Sequence, residues 1–315
     1  MIKYVIKRIL MVIPTMLAVL IIIFTILALS PGNPGRLILG STARQEQVDA
    51  LNHQFGVDQP FLTRLWNYFR DLLHGDFGTS YTSQTPVINE IKGRFPYTLK
   101  LALYSMGLAA VIGIALGIIT AIRQYSIMDN VLTSIAMILA AMPSFFFGMF
   151  AIYIFSLKLG WLPTNSSMSW KGWILPVVTA ALNTAAALLR LTRASMLETI
   201  RSDYIRTARA KGADEKTVIW KHALRNALMP VITSLALRLG GMLGGSVVVE
   251  KVFNFPGLGN YTVTAVQAKD MPTVMSSTLI LSTLFCLVML LVDIAYGFID
   301  PRIRARYTTG SRQRS

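Results

Sequence analysis

The sequence predicts an all-α protein that crosses a membrane several times, and three observations support this. Of its 315 residues, 53% are hydrophobic, only 14% are charged, and stretches of some 20 residues carry no charge. A soluble domain averages about 25% charged residues, whereas an α-helix crosses the ~30 Å hydrocarbon core of a bilayer in roughly 20 residues. The one cysteine, Cys286, cannot form an internal disulfide, which excludes a disulfide-stapled secreted fold.

Six apolar segments bounded by charged residues are the predicted transmembrane helices. In chain order they comprise residues 9–29, 101–122, 131–157, 173–192, 229–249 and 273–296. The first follows basic residues, as in a signal peptide, but its apolar stretch exceeds the ~7–15 residues of a signal peptide, so we interpret it as an uncleaved anchor. Pro14, Pro143 and Pro176 are compatible with these spans, because neighbouring helices can satisfy the freed backbone groups.

The distribution of basic residues predicts the orientation of the chain. Segments on the side of the two termini contain 18 Lys and Arg, against 10 in the opposite loops. Cytoplasmic loops carry the excess of Lys and Arg, so both termini are expected in the cytoplasm and residues 31–97 outside it. The net charge of +15 is thereby explained by topology and does not indicate nucleic-acid binding.

The long extracytoplasmic segment is predicted to begin with a turn over residues 31–35 and to form two short helices, about 43–53 and 59–73. The second has apolar residues at a spacing of three or four, which gives it one apolar face. These residues are Phe61, Leu65, Tyr68, Phe69, Leu72 and Leu73. The segment is either a small cap packed on the outer ends of the spans or a docking surface for an extracytoplasmic partner, and these interpretations are compatible.

The cytoplasmic segment between the fourth and fifth spans is the most informative part of the sequence. Ser202 is a favourable N-cap, and Asp203 suits the first turn of a helix. Gly212 tolerates the left-handed conformation that ends a helix. Asp214 then begins a second helix that is predicted to run to Pro230. A short helix outside the membrane can dock into a groove of a cytosolic partner; the alternative is a solvated positive loop.

The extracytoplasmic loop after the fifth span has Pro256, Gly257 and Gly259 in an otherwise apolar stretch. Such residues indicate a tight, non-helical path, here expected over residues 252–260. Non-helical backbone at membrane depth needs protein or water around it. The loop is therefore either a re-entrant or lid-like segment or a plain turn between helices.

Several motifs, in the same order across six spans, resemble those of the inner-membrane permease subunits of bacterial dipeptide/oligopeptide ABC importers, a family that also includes nickel permeases. They are Gly75-Asp76-Phe77-Gly78-Thr79-Ser80, the ten residues from Asp203 to Gly212, the nine from His222 to Pro230, Val249-Glu250-Lys251-Val252-Phe253 with Pro256-Gly257-Leu258-Gly259, and Asp300-Pro301-Arg302. The resemblance extends over nearly the whole chain and implies a type I ABC importer permease architecture.

The resemblance also implies a division of the chain. Its parts are an N-terminal anchor helix (1–30), an extracytoplasmic segment (31–97), a type-1 transmembrane domain (98–300) with a cytoplasmic coupling loop at about 193–226, and a basic cytoplasmic tail (301–315). A permease of this class is expected in the bacterial inner (plasma) membrane as a multi-pass protein. The candidate residues of the extracytoplasmic loop are Glu250, Pro256, Gly257 and Gly259.

Residues 203–213 resemble the coupling helix that inserts into an ATP-binding subunit. The candidate coupling residues are Asp203, Arg206, Ala208, Lys211 and Gly212. The broader importer pattern has Glu-Ala-Ala where this chain has Arg206-Thr207-Ala208. The Arg-Thr-Ala form is similar to the variant of the peptide branch, so the resemblance favours that branch.

The sequence lacks the elements of an autonomous enzyme. It has no G-x-x-x-x-G-K-[ST] loop, so no catalytic residue or cofactor is expected in this chain, and ATP and magnesium are expected on partner subunits. The three histidines lie on both sides of the membrane without an H-E-x-x-H motif, which argues against metal catalysis. The partners implied are a homologous second permease forming a heterodimer, two ATP-binding subunits, an extracytoplasmic substrate-binding protein and the lipid bilayer.

The sequence gives less information about which substrate is transported. Nickel prefers imidazole and thiolate ligands, and Cys286 is the only such residue within a span. This favours peptides over nickel. A self-sufficient secondary transporter or channel would need intramembrane charge as its driving element, and the candidates for this role are Arg238 and Asp293.

Arg238 lies about nine residues into the fifth span, where an arginine costs roughly 2.5–3.5 kcal/mol to insert. Four glycines follow Arg238 as two pairs spaced four residues apart. This spacing permits another helix to approach closely, and the same holds for Gly113 and Gly117. The four glycines are Gly240, Gly241, Gly244 and Gly245. We expect that face to be crowded against protein, with Arg238 pointing inward. Arg238 either pairs with Asp293 or lines a cavity and attracts the carboxylate of a peptide.

Overall fold

A computed structural model describes residues 2–29, 33–165 and 169–299, except for the side chains of residues 2–8, 245, 293 and 295–299. The predicted tail at 301–315 and the motif at 300–302 lie outside the described residues, as do positions 31 and 32 of the predicted turn. The described chain is α-helical, with an isolated antiparallel bridge between Thr79 and Pro86. The predicted all-α fold class is confirmed.

The helices of the described chain are α1 (Ile2–Leu29), α2 (Pro34–Leu39), α3 (Gln45–Gln54), α4 (Phe61–Leu73), α5 (Val87–Ile122), α6 (Ile127–Ala141), α7 (Ser144–Ala151), α8 (Lys171–Ile200), α9 (Asp203–Ala210), α10 (Glu215–Thr217), α11 (Leu224–Val252), α12 (Leu258–Gln267) and α13 (Met271–Ile299). Two π-helical stretches, Ile152–Lys158 and Val218–Ala223, continue α7 and α10. In this part of the chain, five stretches are long and apolar enough to cross a membrane: Ile9–Leu29, Val87–Ile122, Lys171–Ile200, Glu215–Gly244 and Met271–Val292.

The third predicted span is not one straight helix. The helix axis bends by 104° between Ile127–Ala141 and Ser144–Lys158. The expectation of a continuous span over 131–157 is therefore corrected to a bent pair of helices. The break lies at Met142, which is extended (φ −82°, ψ 134°) because it precedes Pro143. The side-chain amide of Asn183 in α8 donates a hydrogen bond to the freed carbonyl of Met142 at 3.3 Å.

The second cytoplasmic helix also differs from the prediction. Asp214 caps its start as expected, but the helical path does not end at Pro230, which lies inside α11. The helix passes through a π-helical stretch and continues without interruption into the fifth span. A proline is tolerated in a membrane helix where other groups satisfy the freed carbonyl.

The described chain forms two compact units, of which unit 1 comprises the described residues of 1–98 and 256–299. Its core includes Leu20 and Phe24 of α1 and Met275 of α13, against which α4 packs Leu65 and Tyr68. This is the packing that the interpretation of a cap on the ends of the spans predicts.

The start of α13 is tied to the Gly75–Ser80 motif within unit 1. The buried carboxylate of Asp270 accepts hydrogen bonds from Ser80 Oγ at 2.5 Å and from the backbone N–H groups of Thr82 and Thr273, each at 3.3 Å. One buried carboxylate therefore fixes the motif and caps the helix.

Unit 2 comprises Leu99–Phe255, and α8 packs against α5, α6, α7 and α11 in it. Gly113 and Gly117 of α5 lie directly on α8: a Cβ at Gly113 would be 2.7 Å from the carbonyl oxygen of Ala185, and one at Gly117 would be 2.5 Å from Thr192 Cβ. The predicted close helix approach at these two glycines is confirmed.

Candidate functional site

The helix α9 begins and ends where the sequence predicts. Ser202 occupies the N-cap position and Asp203 the first turn, although the Ser202 hydroxyl donates to the carbonyl of Thr199 at 2.6 Å and accepts no hydrogen bond from the helix. Gly212, with φ +84°, follows the last turn. Its N–H donates to the carbonyl of Arg209 at 2.9 Å, and that of Ala213 to Ala208 at 3.2 Å. These two bonds form a Schellman motif, which requires the left-handed glycine.

Ile205 anchors α9 to the spans of unit 2. Its side chain is fully buried and belongs to a cluster with Ile118 and Ala121 of α5, Met196 of α8 and Ala227 of α11. Burying an isoleucine stabilises by about 1.5–3 kcal/mol. The orientation of α9 is therefore set by its contact with three membrane-spanning helices.

The opposite side of α9 is open. The candidate coupling residues Asp203, Arg206, Lys211 and Gly212 are exposed, whereas Ala208 is half-buried because it lies one turn from Ile205. The guanidinium of Arg206 lies 3.9 Å from the Asp203 carboxylate, and both side chains remain mostly exposed. The open side thus presents charged groups around a helix whose other side is held in place.

One ion pair connects α9 to α10, and a side-chain cap begins α10. Arg209 donates to both carboxylate oxygens of Glu215, at 2.6 and 3.3 Å. Asp214 accepts from the backbone N–H of Thr217 at 3.2 Å, and its hydrogen bonds with Thr217 hold the pKa of its carboxyl below the usual value. Since the charged form is favoured in the folded chain, this cap is complete above the ordinary pKa of aspartate and is lost as the pH falls through the lowered one.

A buried ion pair between α6 and α8 is a feature that the sequence analysis does not predict. Asp129, in the first turn of α6, accepts hydrogen bonds from Arg193 Nε at 2.6 Å and from its terminal nitrogen at 2.8 Å. The Asp129 side chain is 1% exposed and that of Arg193 is 24% exposed. Tyr125 N–H and the Thr133 hydroxyl also donate to this carboxylate. The prediction that span four ends at residue 192 had assigned Arg193 to the loop, and α8 continues to Ile200.

Arg238 lies on an exposed face of α11. Its Nε donates to Ser234 Oγ, one turn earlier, at 3.3 Å. Gly241 and Gly244 are exposed on the same helix, and a Cβ at either would meet no atom of the described chain within 4 Å. Gly240 is buried, so within the described chain the expected crowding is present at Gly240 and absent at Gly241 and Gly244. The side chain of Asp293 lies outside the described residues, so the Arg238–Asp293 pair stays a prediction.

The loop after α11, which the sequence predicts to be extracytoplasmic, is shorter than expected. The expected non-helical path over 252–260 ends at Gly257, because α12 begins at Leu258 and contains the buried Gly259 in its first turn. Glu250, in the last turns of α11, is fully buried, and its carboxylate accepts a hydrogen bond from Ser246 Oγ at 3.3 Å. The carbonyl of Glu250 accepts from the N–H of Phe255 at 2.7 Å. Glu250 therefore contributes to the turn from inside the protein.

The long apolar helices, the bent helix pair and the helix α9 anchored between two spans are those of a multi-pass membrane protein. The chain belongs to the family described as binding-protein-dependent transport system inner membrane component: the profile of this family matches residues 113–305, and that of its N-terminal region matches residues 1–102. The protein is thus an inner-membrane permease subunit of an ABC importer. This confirms the resemblance and the membrane location inferred from the sequence.

Similar proteins agree with this assignment. The chain is 44% identical over 304 residues to the glutathione transport system permease protein GsiC of Shigella flexneri serotype 5b (strain 8401), covering 96% of this chain and 99% of that protein. The identity to GsiC of Escherichia coli (strain K12) is also 44%, with the same coverage.

Two solved transporters share the fold. A crystal structure of an amino acid ABC transporter with histidines matches 66% of this chain and 92% of that chain, with a TM-score of 0.56 and 16% identity. The inward-facing MetNI methionine ABC transporter matches 68% of this chain and 98% of that chain, with a TM-score of 0.58 and 20% identity. At these identities the likeness concerns the fold alone.

Proposed function

We propose that this subunit, together with a homologous second permease in a heterodimer, forms the pathway by which di- and oligopeptides enter the cell. The observation that carries the substrate class is the likeness to the GsiC permeases, which extends over 96% of this chain. Those proteins are named for glutathione, which is a tripeptide. A small peptide is therefore the substrate class that we infer for this chain.

ATP hydrolysis is assigned in this proposal to two separate ATP-binding subunits, which would hold ATP and magnesium. Helix α9 supports this assignment: it lies between two spans, is anchored by Ile205 and exposes charged residues on its other side. A short helix held in this way suits a groove of a partner protein. The orientation predicted by the basic residues places α9 and both termini in the cytoplasm.

Substrate would arrive on an extracytoplasmic binding protein. The segment 31–97 and the loop at Pro256 and Gly257 are on the side that the same orientation places outside the cell. Helices α2, α3 and α4 give this segment ordered surfaces, where a plain connector would need far fewer residues. We propose the polar surfaces of these helices as the docking region for the binding protein.

The proposed function is tested by transport in reconstituted vesicles. The complete complex, supplied with binding protein and ATP, is expected to accumulate a labelled dipeptide or glutathione, whereas this subunit alone is expected to transport neither. Labelled nickel serves as the competing substrate. ATP-dependent uptake of nickel without peptide uptake would contradict the peptide assignment, and peptide transport by the subunit alone would contradict dependence on ATPase partners.

Replacing Arg238 by glutamine is expected to lower uptake of peptides with a free carboxylate by about tenfold or more. Arg238 is exposed on α11 and hydrogen-bonds only to Ser234 among the described residues, so it is available to a carboxylate in the pathway. A hydrogen bond to a charged group contributes about 1.5–3 kcal/mol. The measurement compares uptake of a peptide with that of its C-terminal amide, which should change much less.

Two controls separate this expectation from an ion pair with Asp293. Arg238→Lys retains the charge and should keep most of the discrimination between free and amidated peptides. If Arg238 pairs with Asp293, Arg238→Gln should instead impair assembly of the complex, and Asp293→Asn should restore it. Normal assembly together with equal uptake of both peptides at wild-type rates would refute both roles.

A further inference from the structure

Helix α4 has two apolar sides, only one of which packs against the chain. Leu65, Tyr68 and Leu72 belong to the cluster around Phe24 and Met275. The other side consists of Leu62, Trp66, Phe69 and Leu73, which recur at intervals of four, three and four residues. We term this row the apolar flank. Of these, Leu62 is 74% exposed, Trp66 65% and Leu73 71%.

The contacts of α4 with α1 set its depth. The ring of Phe61, the first residue of α4, meets the ring of Phe24 edge-on at 5.1 Å between centroids. Phe24 lies five residues before Leu29, the end of an apolar span, which is about 7.5 Å along a helix. Interfacial helices bury their apolar side ~5–10 Å into the boundary between headgroups and acyl chains. The first turn of α4 therefore lies beside α1 about 7.5 Å before the end of this apolar span, which is within the depth range of an interfacial helix.

The remaining surface of α4 is polar. Thr63 and Arg70 are exposed, and Arg70 pairs with Asp71 at 3.2 Å. Arg64 and Asn67 line a cavity of about 280 Å³. These two residues lie on the side of α4 that is turned away from Leu62 and Trp66. A helix with this division of sides is expected to lie along a membrane surface, its polar side in water and its tryptophan among the headgroups.

We propose that α4 is an interfacial helix whose apolar flank inserts into the lipid bilayer at the end of α1. Its occupant is lipid, because the first residue of α4 packs on α1 within an apolar membrane-spanning segment and because Leu62, Trp66 and Leu73 of the flank are exposed. Scattered exposed apolar residues are ordinary on a protein surface, but an aligned row beside a membrane span matches an interfacial anchor.

Spin labels on single cysteines in the reconstituted complex test this proposal. In a Cys286→Ser background, Leu62→Cys and Trp66→Cys report on the apolar flank, and Thr63→Cys and Arg70→Cys are matched controls on the polar side. Oxygen concentrates in the bilayer, whereas a nickel chelate stays in water. The ratio of collisions with oxygen to collisions with the chelate is expected to be several-fold higher for the flank labels than for the controls.

Three outcomes would overturn the proposal. Flank labels as accessible to the chelate as the Thr63→Cys label would place the flank in water. Flank labels shielded from both reagents in the complex alone would place it against another subunit. Shielding from the chelate only after addition of the binding protein would make it a protein docking surface. The measurement needs no transport, so it stands whether or not the peptide assignment is correct.

Discussion

Replacing Asp129 by alanine is expected to destabilise the protein by about 3 kcal/mol. Breaking a buried ion pair by removing one partner typically costs about 3–5 kcal/mol, because an uncompensated charge is left behind. The lower end applies since the Arg193 side chain is 24% exposed and gains some hydration. The loss should appear as a lower apparent melting temperature and reduced assembly of the complex in detergent.

Two further variants make the Asp129 prediction specific. Asp129→Ala combined with Arg193→Met removes both charges and is expected to recover part of the lost stability. Asp203→Ala is the matched control, because its exposed carboxylate is in a loose pair with Arg206, and surface pairs contribute little. An unchanged melting temperature for Asp129→Ala would show that the pair does not stabilise the fold.

Replacing Gly212 by leucine, or Ala208 by tryptophan, is expected to abolish stimulated ATP hydrolysis by the complex while the subunit still inserts in the membrane. Gly212 has φ +84°, a conformation that costs an L-residue roughly 1–2 kcal/mol, so leucine disrupts the Schellman motif that ends α9 as well as adding bulk. Ala208 is half-buried, so tryptophan would force α9 away from its anchor. The measurement is ATPase activity with binding protein and peptide present.

Matched glycine variants separate coupling from general damage. Asparagine tolerates the left-handed conformation better than leucine, so Gly212→Asn is expected to keep much of the stimulated activity. Gly160 has φ +64°, and a Cβ there, as at Gly212, would meet no atom of the described chain within 4 Å. Gly160→Leu therefore imposes similar strain in another loop and should leave ATPase stimulation intact. Normal stimulation in the Gly212→Leu complex would refute the role assigned to α9.

The features that could be predicted from sequence are those encoded locally. Gly212 ends α9 because a C-terminal cap acts within one turn, and α9 begins after Ser202 although the hydroxyl of Ser202 does not cap it. Uncharged stretches define the spans because bilayer thickness fixes their length. The Asp129–Arg193 pair joins residues 64 positions apart, and no local pattern encodes it. The open face at Gly241 shows the same limit, since spacing indicates that a helix can be approached closely but not which chain approaches it.

Two other differences arise from single residues whose effect depends on their surroundings. Pro143 ends a helix and bends the third span, whereas Pro14, Pro176 and Pro230 lie inside continuous helices. Local sequence did not distinguish these cases, because a membrane helix tolerates proline wherever other groups satisfy its freed carbonyl. Gly259 was expected to mark a loop and instead lies buried in α12. Glycine marks irregular backbone only where packing does not select it for its small size.

The buried position of Ile205 has a mechanical consequence. It belongs to one buried cluster with residues of α5, α8, α11 and the π-helical stretch Val218–Ala223, so a shift of α9 would disturb the packing of a cluster that these elements share. Close-packed interiors have low compressibility and transmit strain instead of absorbing it. A force applied to the open side of α9 is therefore transmitted through the side chain of Ile205 to three membrane-spanning helices at once.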